Sequence, residues 1–456
     1  MTDRSNKSLL ANDARRQAID FGRKKSYKTK KNKETFPAQS FDELEGSKEI
    51  KQIKAIGEAL GVENPFFRCH DGIANADTRI AGQKYTNFGS YDYLGLNGDE
   101  RVKQAAHSAI ERYGISASAS RLVAGERPCH RQLERAFADH YNVEDAMVFV
   151  SGHATNVTVI GKLMNEKDII LHDALAHNSI VVGAELSGAN RRSFKHNDLD
   201  MLESLLNMNV ASYQNVLVCV EGLYSMDGDL PDLPRLIELK KRFGFWLMVD
   251  EAHSLGTVGK TGAGVAEYFN IDPKDVDIWM GTLSKTLGST GGYIAGSRTL
   301  IDFLKSYAPG FVFSVGLPPL LAEAALKSLE ILKAEPERVT TLQKNCDYFL
   351  KQAKAQGLDT GLAEGHCVVP IIIGDSLRAT RISGGLLQRG FNVLPIIFPA
   401  VPMNAARLRF FLTSEHSFEQ IDQALLAVKE ELGKQKGSGI NSLDPAFFEK
   451  FLSLNT

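Results

Sequence analysis

The chain has 456 residues, of which 43% are hydrophobic and 24% charged, and a formal net charge of -2. That is the balance of a globular protein with apolar surface for more than one core and no global field to draw it to nucleic acid. Five cysteines (Cys69, Cys129, Cys219, Cys346 and Cys367) are odd in number and never spaced as C-x-x-C, which argues against a disulfide framework or a thiolate metal site and points to a reducing, cytoplasmic setting.

Nine basic residues lie between Arg15 and Lys33 against a single acid, Asp20. Two readings of this arm stay open: a solvated leader, or an electrostatic dock for anionic lipid or an acidic carrier protein. The segment carries no apolar core of a secretory signal, and no apolar run in the sequence approaches the ~20 residues of a membrane-spanning helix. From Phe41 to Leu60 the apolar spacing predicts a helix that packs on the core or on a partner subunit, with Gly61 as its stop.

The middle of the chain alternates helical stretches with short β-rich runs, Ala146–Val150, Val216–Val220, Phe245–Val249 and Asp277–Met280. That alternation predicts a mainly parallel sheet wrapped by helices. Beyond Pro318-Pro319 come a helix over Leu320–Ala334 and strands at Val368–Gly374 and Ala406–Leu412, which predict a smaller α+β domain. The expected organisation is an arm and helical segment over 1–84, a large domain over 85–317, a small domain over 318–434 and a tail over 435–456 with a short helix at Pro445–Leu454.

Each middle strand runs into a polar cluster: SGHATN, EGLYSMDGD, DEAHSLG and GTLSKTLGSTGGY. Ligands bind outside the carboxyl ends of the strands in open α/β sheets, so these clusters are expected to converge. Lys285, bracketed by Thr282, Ser284 and nearby glycines, has the setting of a Schiff-base lysine, whose amine needs desolvation. Asp250 ends an apolar strand and needs a cationic partner to remain ionised, which a protonated pyridine nitrogen supplies. Neither a phosphate-binding G-x-x-x-x-G-K-[ST] loop nor an H-E-x-x-H metal motif is present, so no metal is expected.

Taken together, DEAHSLG, GTLSKTLG and GGY, with SGHATN, DALAHNS and EGLYSMDGD upstream, resemble the α-oxoamine synthase family of pyridoxal-phosphate enzymes. Aminooxononanoate synthase, 5-aminolevulinate synthase, aminoketobutyrate ligase and serine palmitoyltransferase belong to that family. The resemblance spans roughly Tyr85 to His416 and implies the fold-type-I aminotransferase architecture, a homodimer with shared active sites, and pyridoxal 5'-phosphate as cofactor. It implies that Lys285 holds the cofactor and acts as base, that Asp250 faces the ring nitrogen, that His253 and Ser225 lie near the phenolic oxygen, and that His177 stacks on the ring. Thr282, Ser284, Gly152 and His153 are then expected at the phosphate, joined by Ser314 of the neighbouring subunit, although Val315 and Gly316 replace hydroxyl residues common there.

Arg409 matches the family's clamp for the substrate carboxylate, with Arg407 two positions away on the same strand face as the second candidate. In FGSYDYLGL, Tyr91 stands where many relatives have Asn, and the segment is closer to the serine palmitoyltransferase version, with Asp92 assigned to the substrate. The implied reaction condenses serine, glycine or alanine with an acyl thioester of coenzyme A or a carrier protein, with loss of carbon dioxide. The rivals are an aminotransferase, which shares the lysine and aspartate, and a catalytically silent partner subunit.

Overall fold

The computed structural model describes residues 38–402, 404–435 and 439; the basic arm and the expected tail helix lie outside them. The chain divides after Ile56 into two compact units. Ser40 caps a 3-10 turn at Phe41–Glu43, and the expected helix runs over Glu45–Ala59, across that division. None of its residues is buried, and Ile50 and Ile53 are exposed.

The second unit opens with β1 (His70–Asp71), β2 (Asp77–Ile80) and β3 (Gln83–Asn87), which straddle the expected boundary at residue 84. Its centre is formed by β4 (Asp145–Phe149), β5 (Ile169–Asp173), β6 (Asn190–Phe194), β7 (Val216–Glu221), β8 (Trp246–Asp250), β9 (Ile278–Thr282) and β10 (Gly292–Gly296). They form one sheet in the order β4-β10-β9-β8-β7-β5-β6, in which β10 alone runs against its neighbours.

Strict period-two alternation explains why both faces of this sheet are covered. Val216, Val218 and Val220 of β7 join a core with Leu133 and Phe137 of the helix Pro128–His140 and Leu236 of the helix Leu233–Phe243. Leu217 and Cys219, pointing the other way, join Ile160 of the helix Gly152–Leu163, Ile180 of the helix Asn178–Ser187 and Leu304 of the helix Arg298–Tyr307. Each fully buried Val, Leu or Ile contributes about 1.5–3 kcal/mol of transfer free energy, so the register of every strand is held from both sides.

After Pro318 the chain forms the helix Pro319–Ala334, a second helix Pro336–Ala355, β11 (Val368–Gly374), a helix Ser376–Gln388, β12 (Phe391–Asn392), β13 (Leu394–Ile396), β14 (Ala406–Phe411) and the helix Phe418–Lys434. β11, β14 and β13 make a three-stranded antiparallel sheet, while β12 pairs in parallel with β3, so the chain's early hairpin is stitched to its late segment. Parallel connections bring the carboxyl ends of β5, β7, β8 and β9 to one edge, and antiparallel β10 starts at that same edge, with Gly292 opposite Thr282 and Phe149.

Candidate active site

Lys285 lies in a closed turn after β9. Leu283 N donates to Gly291 O at 3.0 Å, Ser289 N to Leu283 O at 2.9 Å and Gly288 N to Lys285 O at 2.9 Å. Gly288 sits at φ +56°, and a Cβ there would come within 2.8 Å of Asn97 N, so no other residue allows this turn to close. Thr286 ties the turn to the DEAHSLG loop through its bond to Leu255 O at 2.7 Å.

The Lys285 Nζ lies 5.9 Å from the centre of the Tyr91 ring, which packs edge-on against Phe411 and His253. Burial depresses the Lys285 pKa to about 8 against the opposing pull of Asp250 and Glu221, and Arg409 adds to the depression.

Asp250 and Glu221 face each other as register partners at the ends of β8 and β7. The Asp250 carboxylate is buried and accepts from Asn156 Nδ2 at 2.8 Å and Ala252 N at 3.0 Å. Burial and the nearby Asp250 charge push Glu221 up to about 8, with Lys285 pulling the other way. One Glu221 oxygen accepts from Ser225 N at 3.2 Å, and the other is buried without a partner.

Asn156 also donates to Ser179 Oγ at 2.9 Å, and Ser179 meets His177 Nδ1 at 2.6 Å. Because Ser179 N donates to that same ring nitrogen, Nδ1 is the acceptor and the neutral ring carries its proton on Nε2. Burial lowers the His177 pKa, which keeps the ring neutral. His177 caps the helix Asn178–Ser187 and meets His153 edge-on with ring centres 6.2 Å apart. His253 bonds to Tyr93 OH through Nδ1 at 2.7 Å, and burial, followed by the Lys285 and Arg409 charges, holds its pKa well below the usual value.

The remaining expected residues divide into two groups. Thr282 and Ser284 share a hydroxyl bond of 2.8 Å, and Thr282 also donates to Gly291 O at 3.0 Å. Arg409 reaches the same loops, donating to Ser225 O at 3.0 Å. Arg407 instead pairs with Asp227 at 2.7 Å and donates to Met226 O at 3.0 Å, which commits it to the loop after β7. Asp92 accepts from Leu96 N at 2.8 Å and Asn97 N at 3.0 Å, so its carboxylate closes its own turn; burial nonetheless pushes it up to about 7. Ser314 bonds only to Val315 O, at 3.3 Å, among the described residues.

Sequence reasoning missed Glu221, Asn156, Ser179 and Tyr93 as site members. Each lay inside a motif already singled out, and the signal was present for Glu221, an acid ending an apolar strand as Asp250 does.

Two observations show that this set suits pyridoxal phosphate. Added Cβ atoms would meet Thr282 Oγ1 at 2.8 Å from Gly152, and Thr155 Oγ1 at 2.5 Å and Gly152 Cα at 2.8 Å from Gly292. The glycines thus leave bare backbone at a helix N-terminus beside two hydroxyls, a cradle for phosphate. The buried Asp250 carboxylate accepts two neutral N–H groups and keeps lone pairs for a cationic ring nitrogen, close to a desolvated lysine.

The fold and this constellation define a fold-type-I pyridoxal-phosphate enzyme. The sequence profile of the family described as aminotransferase class I and II matches residues 83–428. The 8-amino-7-oxononanoate synthase of Symbiobacterium thermophilum is 41% identical over 395 residues, covering 86% of this chain and 97% of that protein. The serine palmitoyltransferase of Sphingomonas wittichii superposes with a TM-score of 0.82 at 30% identity, covering 88% of this chain and all of that one. A serine palmitoyltransferase structure with pyridoxal phosphate as an internal aldimine also gives 0.82, at 27% identity over 87% of this chain. The chain therefore belongs to the class I and II aminotransferase family, within its α-oxoamine synthase branch.

Were Lys285 the cofactor's anchor, only its unprotonated amine would capture the aldehyde. With the pKa at about 8, the capture rate is expected to rise about tenfold per pH unit below pH 8 and to level off above it. Stopped-flow absorbance on cofactor-free protein measures this, and a rate that is flat between pH 6 and 9 contradicts it.

Proposed function

We propose that the enzyme joins a small α-amino acid (serine, glycine or alanine) to the acyl group of a thioester, releasing carbon dioxide and free thiol and leaving a 2-amino ketone. The observation that carries this reading is the desolvated Lys285 amine, set among the strand-end carboxylates Asp250 and Glu221 with the Arg409 guanidinium in electrostatic reach. When bound, pyridoxal phosphate supplies an electron sink for the amino acid's α-carbon.

The protein's own groups do the rest. Lys285 anchors the cofactor and takes the α-proton, for which a depressed pKa suits it. Asp250, oriented by Asn156, holds a proton on the ring nitrogen. His177, fixed by Ser179, presents a neutral ring face for stacking, and His253 and Ser225 serve the phenolic oxygen. Thr282, Ser284, Gly152 and His153 bind phosphate, and Arg409 grips the substrate carboxylate. The Tyr91 ring beside Lys285 limits the amino-acid side chain to a small one, which fits the three candidates.

The active unit is read as a cytoplasmic homodimer. The exposed residues Ile115, Leu122, Val123, Phe313 and Val315 are borne by two segments tied through the Gly316 N–Ala119 O bond, an apolar patch of the kind that subunits cover. Ser314 lies within that patch and would reach the partner's phosphate. The basic arm favours an acidic carrier protein or an anionic membrane surface as the place where the acyl chain is delivered.

Incubating holoenzyme with each amino acid and with acyl-coenzyme A or acyl carrier protein, and measuring thiol release, tests the reaction. Transfer of nitrogen to a keto acid without thiol release would make the chain an aminotransferase instead. Arg409→Leu is expected to raise KM for the amino acid about 10²-fold, because a charge-assisted carboxylate contact is worth about 2–5 kcal/mol, and to leave KM for the thioester unchanged. Equal effects on both substrates would remove Arg409 from its assigned place.

A further inference from the structure

We propose that His196 is a positioning residue: an imidazolium that ties the loop leading to His177 to the loop carrying Ser225, and so sets the spacing of two walls of the cofactor site. The proposal rests on reading that site as one for pyridoxal phosphate.

His196 follows β6 and is not itself part of the strand-end cluster. Its Nδ1 lies 2.9 Å from Asp173 Oδ1 and its Nε2 2.8 Å from Asp229 Oδ2. Asp173 ends β5, four residues before His177, and its carboxylate also accepts from Leu175 N at 2.8 Å and Asn197 N at 2.9 Å. Asp229 closes the loop that begins at Glu221, and Tyr224 N donates to its carbonyl at 3.0 Å. Asn197, at φ +52°, reinforces the second arm by donating to Asp229 Oδ2 at 2.9 Å and Leu230 O at 3.0 Å.

A neutral imidazole has one N–H and one lone pair, so it can satisfy one carboxylate and must repel the other. Two acceptors on opposite ring nitrogens therefore require both N–H groups and a positive ring. The side chain is 12% exposed, and Asp173 and Asp229 are 0% and 6% exposed, so the bridge is shielded from solvent. Burial opposes the charge, but the two aspartates outweigh it and push the His196 pKa up to about 10. The groups facing the ring are Asp173 from β5, and Asp229 and Tyr224 from the loop after β7, the tyrosine edge-on with ring centres 4.5 Å apart.

The bridge joins pieces that the site needs in register. On one side, the Asp173 loop delivers His177, held in turn by Ser179 and Asn156 to Asp250. On the other, the loop of residues 222–229 delivers Ser225, whose carbonyl accepts from Arg409, while Arg407 holds Asp227. Without His196, two buried carboxylates would face each other uncompensated, and the loops would part.

NMR of the cofactor-free chain is expected to show His196 charged through pH 8, a result independent of what the site binds; a neutral ring at pH 7 would overturn the proposal. In His196→Gln holoenzyme we expect wild-type cofactor stoichiometry and visible absorbance, weakened visible circular dichroism per bound cofactor, and kcat lower by up to about 10²-fold, the loss that a misplacement of about an ångström can produce. Wild-type dichroism together with wild-type kcat would refute it. Should His196→Gln fail to fold, Asp229→Ala severs one arm alone and is expected to show the same two losses, and wild-type behaviour there refutes the proposal equally. Asp229→Asn, whose amide oxygen can accept from the ring Nε2–H and from Asn197 Nδ2 as Oδ2 does, is expected to restore the dichroism that Asp229→Ala loses; no restoration would count against the bridge. Absence of cofactor absorbance in the unaltered protein would instead refute the site reading, leaving the NMR result standing.

Discussion

Lys285→Ala enzyme is expected to lose the visible absorbance of lysine-bound pyridoxal phosphate and at least about 10³-fold in kcat. Two separate losses combine. On the proposed reading the covalent anchor disappears, which would leave the cofactor held by the Thr282–Ser284 hydroxyls, the Gly152 backbone and Asp250. The general base also disappears, and a positioned base is worth about 10²–10⁴-fold by itself. Neither neighbouring acid can replace it, since on that reading the lone pairs that Asp250 keeps beside its bonds to Asn156 and Ala252 serve the ring nitrogen, and burial holds Glu221 toward its protonated form. Absorbance spectra and single-turnover thiol release measure the two effects apart. An unchanged cofactor spectrum would remove Lys285 from the centre of the site.

Asp250→Asn should cost about 10²–10³-fold in kcat while leaving the fold intact. The replacement is isosteric, but a buried cationic ring nitrogen left without its carboxylate loses about 3–5 kcal/mol. A local conflict adds to this. Both Asp250 oxygens accept N–H groups, from Asn156 and from Ala252, so the new amide nitrogen must face a donor in either orientation. Cofactor dissociation constants and kcat together test the expectation, and a loss smaller than tenfold in both would show that the ring nitrogen does not depend on this residue.

Much of this could be read from residue order alone. The runs ending at Val150, Val220, Val249 and Met280 became β4, β7, β8 and β9; the last three end one or two residues further on, at Glu221, Asp250 and Thr282, because the pairing ladder continues until the carboxylate or hydroxyl enters the site, whereas β4 ends one residue earlier, at Phe149. β5, β6 and β10 escaped notice. β6 is polar and exposed over Asn190–Ser193, and β10 carries two glycines, so neither shows the apolar run by which its neighbours are recognised. Lys285, Asp250 and His253 were legible because chemistry-bearing residues directly followed apolar strands. The different environments of Arg407 and Arg409 were not, since two arginines on one strand face differ only in what lies across from them, Asp227 for one and a backbone carbonyl for the other.

The bond from Arg409 to Ser225 O aims the guanidinium without consuming it. Nη1 donates to that carbonyl, while Nε is buried without a partner among the described residues. A buried donor left unpaired costs about 1–3 kcal/mol, so on the proposed reading an arriving carboxylate supplies a bond that the site otherwise lacks, and a charge-assisted one. An amide or ester of the same amino acid offers only a neutral oxygen. Preference for free amino acids over their neutral derivatives then rests on a donor that the fold leaves open rather than on a wall built against them.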